Sequence, residues 1–509
     1  MGLVLDDPTP APALVGVVLA ALFSFGEFGY ATGVMSAGVP AMRDEWGLTA
    51  IEEALVVTAC IGLAAVGAGV GGPCGDAFGR KPTIIVSGLL CVVATVACVA
   101  ASSPFGLGLG RALVGFGVGL SFTVVPVYCS ECVPPEIRGR VVDLGDLSVV
   151  SGQLVACLAN GFADGDWRLA MALGACPAAL LVVVVLVACP ESPRWLAKAG
   201  RLAEARVALR QVRGRDLVVP DAPDVDVWTS QRVRRALRLG VGLQALTQLA
   251  GINAAMYYGG SILMEAGFGE RDAVWLSAVL TAAQLGGVCV SLRTIDTLGR
   301  RFTLLRSLGC VIPCLVALGA AFALGSTALA VLALLCYLVA FGSGLSGAGY
   351  VVNSEIFPLS IRGRATAVGS FAFWAVNTAV AFIFPVAADV LGPQYCFWTF
   401  ALVATAGFFW LWRYLPETAH KSLEEIDALF EHDPYPLPAW GHKGYYGLSD
   451  TTKPHLGILG HTSVLVVDST NLACDTEPSR VQPEPDFKDE EDAMSDILDK
   501  TPLERFNSN

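Results

Sequence analysis

Three glutamines, Gln153, Gln244 and Gln248, stand inside long apolar runs. An amide in apolar surroundings costs free energy unless it is hydrogen-bonded. Each is therefore either a bond between helices or a group kept for a solute. Gln244 and Gln248 are four apart and share one helical face. Gly251, just beyond them, permits a break in that helix. Neutral donors and acceptors at mid-membrane suit a neutral solute. Glu27 is an ionisable residue of the first apolar run, one turn before Ala31 on the same face. A carboxyl placed there can carry a proton, bond a solute, or stand as a protonated or paired structural group. All five histidines (His420, His432, His442, His455, His461) lie near the C-terminus. None is available among the apolar runs for proton relay or metal ligation.

A second set of residues is charged and occurs twice. Asp76-Ala77-Phe78-Gly79-Arg80-Lys81 is echoed by Asp296-Thr297-Leu298-Gly299-Arg300-Arg301. Glu131 with Arg138-Gly139-Arg140 is echoed by Glu355 with Arg362-Gly363-Arg364, and Pro190-Glu191-Ser192 by Pro416-Glu417-Thr418. The displacements are 220, 224 and 226 residues. Repeats at a long fixed displacement mean a duplicated unit. Charges beside a membrane are costly and persist when paired. Arg suits such pairing because its fork meets a carboxylate with two bonds. Asp76, Arg80, Glu131, Arg138, Glu191 and Arg194 in one copy, with Asp296, Arg300, Glu355 and Arg362 in the other, read as a ring at one membrane face. Such a ring can close a mouth in one conformation and release it in another. Static anchoring by positive charge is the simpler alternative, and the duplicated pairing of acid with base favours the gate.

The elements that must carry these residues follow from apolar length. The chain is 54% hydrophobic and 15% charged, with mean hydropathy +0.60, far from a soluble domain. Twelve spans are expected, at 13–37, 51–72, 82–102, 106–129, 145–163, 169–189, 238–260, 273–294, 303–324, 327–353, 365–388 and 393–414. The predicted organisation is a short N-terminus (1–12), a six-helix bundle (13–189), a polar linker with short helices (190–237), a second six-helix bundle (238–414) and an acidic tail (415–509). Residues 421–430 are expected to form a short helix, and the last 70 or so to be disordered. Lys and Arg gather in the loops after spans 2, 4, 6, 8 and 10. The opposite loops hold only Arg43, Arg168 and Arg271. That bias places both termini in the cytoplasm.

Net charge is -12, and the tail holds 19 acidic and 7 basic residues, so the tail carries the whole imbalance. Nothing in it points to nucleic acid. Most of the fifteen cysteines lie inside spans and read as small apolar residues. Cys129-x-x-Cys132 has no second pair or nearby His, which argues against a metal. No cofactor and no catalysis are expected, and the tail's partners are left open.

These patterns resemble the major facilitator superfamily, and within it the sugar porter family, over about 15–430. The resemblance rests on the doubled D-x-x-G-R-[RK] loop, Pro190-Glu191-Ser192-Pro193-Arg194-Trp195-Leu196, Pro416-Glu417-Thr418, Gly110-Arg111, and the run from Val125 to Arg140. Asn353 to Pro358 looks most like the inositol and polyol branch. The resemblance implies an all-α membrane protein of twelve helices in two pseudo-symmetric bundles, rocking about a central site. It implies a sugar (hexose-like) or polyol substrate, a plasma-membrane location, and no enzyme activity. Site residues carried over are Gln153, Gln244, Gln248, Asn253, Tyr257, Gln284, Tyr350, Trp374 and Asn377. Departures occur where Ala31, Thr247, Gln284, Tyr350 and Phe373 replace the usual residues, and where span 10 lacks its prolines. Proton-coupled members carry an Asp at the position of Ala31, so the plain expectation is facilitated diffusion. Glu27, with Arg111 as partner, offers a proton-coupled myo-inositol or polyol symporter instead. A non-transporting nutrient sensor signalling through the tail is an alternative of another class.

Overall fold

The structure, a computed structural model, describes residues 12–133, 135–213, 230–357 and 362–419, with 421, 425, 426, 429 and 430. Side chains at 37, 135–140, 142, 143, 213, 270, 354 and 362–364 are outside the description. All the regular elements among these residues are helical. Spans 1 to 5 are Pro12–Trp46, Ala50–Phe78, Arg80–Val99, Pro104–Cys132 and Pro135–Phe162. Span 6 is Trp167–Ala172 followed by Ala175–Ala188. Span 7 is broken into Gln231–Leu249, Ile252–Tyr257 and Gly259–Glu265. Spans 8 and 9 are Glu270–Leu298 and Arg300–Leu324. Span 10 is Thr327–Ala340, a π turn at Phe341–Leu345, and Ala348–Glu355. Spans 11 and 12 are Arg362–Leu391 and Pro393–Tyr414.

Ten of these spans are long and apolar enough to cross a bilayer by length and composition alone. Among the described residues, span 5 and span 7 are the two that do not meet that measure. Span 5 carries Asp143, Asp146, Gln153 and Asn160, and span 7 opens with Arg232, Arg234, Arg235 and Arg238 and is interrupted twice. The least lipid-like helices are thus the ones with the most polar side chains to present inward. Span 7 starts at Gln231, so the last seven residues expected in the linker belong to its helix. Among the described residues before it, the linker forms Pro193–Lys198 and Leu202–Arg213.

Helix starts follow local chemistry. Thr49 and Glu52 form a capping box on span 2. Ser103 caps span 4, with Pro104 at its first position. Gly251 takes a left-handed backbone, φ 89°, and breaks span 7 where the sequence allowed it. Within the bilayer, helices associate by close backbone packing rather than by a hydrophobic drive. Spans 2 and 4 meet so closely that a Cβ on Gly115 would stand 1.8 Å from the Cys60 carbonyl oxygen. Spans 1 and 5 meet likewise, with a Cβ on Gly152 falling 2.1 Å from the Gly26 oxygen.

The π turn of span 10, in the stretch that lacks the usual prolines, is stitched to span 9. Ser307 of span 9 donates its hydroxyl to the Ala340 carbonyl at 2.7 Å and accepts the Leu345 amide at 2.9 Å. Arg306 donates to the Ser343 carbonyl at 2.9 Å. The next residue, Ser346, reaches the other half of the protein, donating to Asp146 of span 5 at 2.8 Å. Beyond span 12, Ile426 and Phe430 are buried against the core, and Arg235 donates to the Phe430 carbonyl. The chain divides after Pro438. The expected disordered tail lies outside the described residues, as does most of the expected helix at 421–430.

Candidate functional site

The doubled charged signatures form two matching latches. In the first, Arg80 meets both oxygens of Glu131 at 2.9 Å and donates to Asp76 at 2.9 Å and the Gly75 carbonyl at 2.8 Å. Ser192 donates to Glu131 at 2.6 Å. Glu191 accepts the backbone amides of Arg80 and Lys81, the open N-terminus of span 3. In the second, Arg300 holds Glu355 and Asp296 at 3.1 Å, and Thr418 donates to Glu355 at 2.6 Å. Glu417 accepts the amides of Arg300 and Arg301.

The shared glycine explains the geometry. Gly79 and Gly299 hold φ of 102° and 88°. A Cβ on either would stand 2.5 or 2.4 Å from the capping carboxylate. Two expectations change. Glu191 accepts backbone amides rather than joining a ring of side chains, because the glycine turn leaves it room to reach them. The pairs described tie elements within one half, not across the mouth as a single ring. Arg138 and Arg362 lie outside the residues whose side chains are described.

The mid-membrane candidates are buried together. Gln153, Gln244, Gln248, Asn253, Tyr257, Gln284, Trp374 and Asn377 are all buried, and Tyr350 is half-buried. Gln153 of span 5 donates to Thr32 of span 1 at 3.3 Å. Asn253 donates to Gln248 across the break in span 7. Asn377 of span 11 donates to Tyr257 at 3.1 Å. Cys157 touches Thr281 at 3.7 Å. One turn toward the latches on these antiparallel helices brings Gln153 and Gln284 to the same level. Thr247, where a longer amide was expected, turns its hydroxyl back onto the Gln244 carbonyl at 2.7 Å. Four buried polar atoms here have no partner: Gln153 Oε1, Gln284 Oε1, Asn377 Oδ1 and the Trp374 indole nitrogen. Such orphans are rare in folded proteins. Aromatic rings from both halves floor the site, with Phe122 5.2 Å from Trp374 and 6.2 Å from Phe373, and Phe28 5.0 Å from Trp374.

Glu27 and Arg111 line one small cavity of about 20 Å³ among spans 1, 3, 4 and 6. Arg111 donates to the Ala31 carbonyl at 2.6 Å, at the very position where the side-chain carboxylate is missing. Its Nε has no partner, and neither does Glu27 Oε2. The cavity is the size of one water with partners on both sides.

Comparison with known proteins agrees with this geometry. The family model described as "Sugar (and other) transporter" matches residues 16–430. The chain belongs to this family. Its fold is that of the major facilitator superfamily: the xylose transporter XylE from E. coli, in a partially occluded inward-open conformation, aligns with TM-score 0.70 at 24% identity, over 81% of this chain and 99% of that one. The major myo-inositol transporter IolT of Bacillus subtilis is 31% identical, covering 84% of this chain and 95% of its own. The human proton myo-inositol cotransporter is 29% identical, covering 84% and 83%. The arabinose-proton symporter of B. subtilis is 28% identical, covering 79% and 92%. The protein is an integral multi-pass membrane transporter, not an enzyme.

Within this family member, three contributors were missed in the sequence. Ser192 and Thr418 complete the latches from the third position of Pro-Glu-Ser and Pro-Glu-Thr, a signal visible in the repeat itself. Asp146 is half-buried at the seam between spans 5 and 10, with its buried Oδ2 unpaired. It sits just inside the start of the span expected at 145–163, where a carboxylate passes for a loop residue, whereas the helix begins at Pro135. Among the described residues no group of His, Cys, Asp and Glu could hold a metal. Cys129 and Cys132 are both buried.

Proposed function

We propose that this transporter carries a monosaccharide or cyclic polyol across the plasma membrane by alternating access, with the latch face and both termini cytoplasmic. The observation that carries this reading is the set of unpartnered buried atoms on Gln153, Gln284, Asn377 and Trp374. A hydroxyl-rich ring supplies donors and acceptors to those atoms, and the aromatic floor takes its C–H face. Asn253 bonds Gln248 and Asn377 bonds Tyr257, and these groups turn to solute when it enters. The named substrates of the relatives, inositol, arabinose and xylose, support the same class. The latches hold each half rigid while the halves rock.

Proton coupling is the second reading, favoured over facilitated diffusion by the paired orphan atoms of Glu27 and Arg111. Reconstituted liposomes separate the readings. Uptake of radiolabelled glucose, xylose and myo-inositol should be saturable for at least one, and an inside-alkaline gradient should drive its accumulation. Gln153→Ala and Gln284→Ala each remove a bond worth about 1–2 kcal/mol, so half-saturation should rise ~5–30-fold. Saturable uptake of none of the three probes would refute the substrate class.

A further inference from the structure

Beyond the central site, on the face away from the latches, a cavity of about 160 Å³ lies between the two halves. Span 5 contributes Asn160 and the turn after it Asp164. Span 6 contributes Trp167, and span 8 Arg271 and Trp275. Its position is set by helix geometry. Asn160 is two turns beyond Gln153 on the same face of span 5, ~10 Å along the axis. Val274 stands two turns beyond Thr281 on span 8. The Cys157–Thr281 contact therefore lies as a seal between this cavity and the level of Gln153 and Gln284.

The lining has the chemistry of the inner chamber with charge added. Both amide hydrogens of Asn160 are used, on the Val34 carbonyl at 3.2 Å and the Ala156 carbonyl at 3.0 Å. Its carbonyl oxygen is left as an acceptor. Among the described residues neither Asp164 nor Arg271 has an ion-pair partner. The Trp275 ring is 37% exposed and lies against the Gly161 backbone, where a Cβ would stand 3.1 Å from it. An indole face, an amide oxygen, a carboxylate and a guanidinium around one cavity suit neighbouring hydroxyls on a ring, which both donate and accept.

We infer that this cavity is a vestibular binding site for the transported class of solute, monosaccharide or cyclic polyol, occupied before the Cys157–Thr281 seal opens. It rests on the substrate class proposed above. Full-length protein in lipid nanodiscs, titrated with radiolabelled myo-inositol and D-xylose by equilibrium dialysis, should bind two molecules per chain of the accepted probe. Trp275→Leu and Arg271→Gln should each reduce this to one and raise the half-saturation of uptake at least threefold. Arg271 is exposed, so its variant keeps the test open if Trp275→Leu fails to fold. Gln248→Ala should also leave one molecule, bound at the vestibule. One molecule in the wild type, lost in Gln248→Ala and kept in both vestibule variants, would overturn the vestibule and leave the transport reading intact. No binding of either probe to any form would overturn both.

Discussion

Glu27→Gln is expected to abolish accumulation against a gradient while leaving exchange of labelled for unlabelled substrate within about twofold. The carboxyl is buried, and one of its oxygens has no partner. It shares a one-water cavity with Arg111, whose Nε is also unsatisfied. A glutamine keeps the size and one acceptor but cannot gain or lose a proton. Exchange needs only the rocking of a loaded carrier, so it survives. Net uphill movement needs a proton bound on one side and released on the other, so it stops. The check is the steady ratio of internal to external substrate under a fixed pH gradient, expected to fall to one. A ratio unchanged in the variant would remove Glu27 from coupling and restore facilitated diffusion.

Arg80→Ala should cost transport at least 100-fold. Its guanidinium holds two oxygens of Glu131, one of Asp76 and a backbone carbonyl, and both Arg80 and Glu131 side chains are 11% exposed. Removing one partner of a nearly buried pair leaves an uncompensated charge and costs about 3 kcal/mol or more. Arg80→Lys should not rescue, since a point charge cannot replace a fork engaged on three sides. Arg300→Ala tests the duplicated latch. Its pair is looser, at 3.1 Å with Glu355 more exposed, so the loss should be smaller. Initial uptake rates decide the order, with the protein's elution as a folded monodisperse species as control. Equal, small losses in both variants would contradict the latch as described.

Much of this was readable before any coordinates. Apolar length marks a span strongly, and repetition marked the latches. Gly251 marked the break in span 7 because glycine alone takes its backbone angle without strain. Residues reveal which charges must pair, but not with what. Glu191 could have met Arg194 three residues away, and instead it caps a helix begun 111 residues earlier in the chain. Asp146 and Ser307 were illegible for a related reason. A serine in a helix is ordinary until a neighbouring helix needs its hydroxyl. A carboxylate near a span's end looks solvated until the other half covers it. The unpartnered atoms of Gln153 and Gln284 belong to a third kind, since only packing shows that a polar group has been left waiting.

The π turn of span 10 has a mechanical meaning. A proline bend lacks its amide permanently, so a helix bent by proline has no straight form to return to at equal cost. Span 10 keeps its amides, and the serine of span 9 engages the loosened ladder at Ala340 and Leu345. Lipid offers no water to take over if that hydroxyl lets go. The bend is thus held by a hydroxyl on a neighbouring helix, at about 1 kcal/mol per bond, rather than by a missing amide.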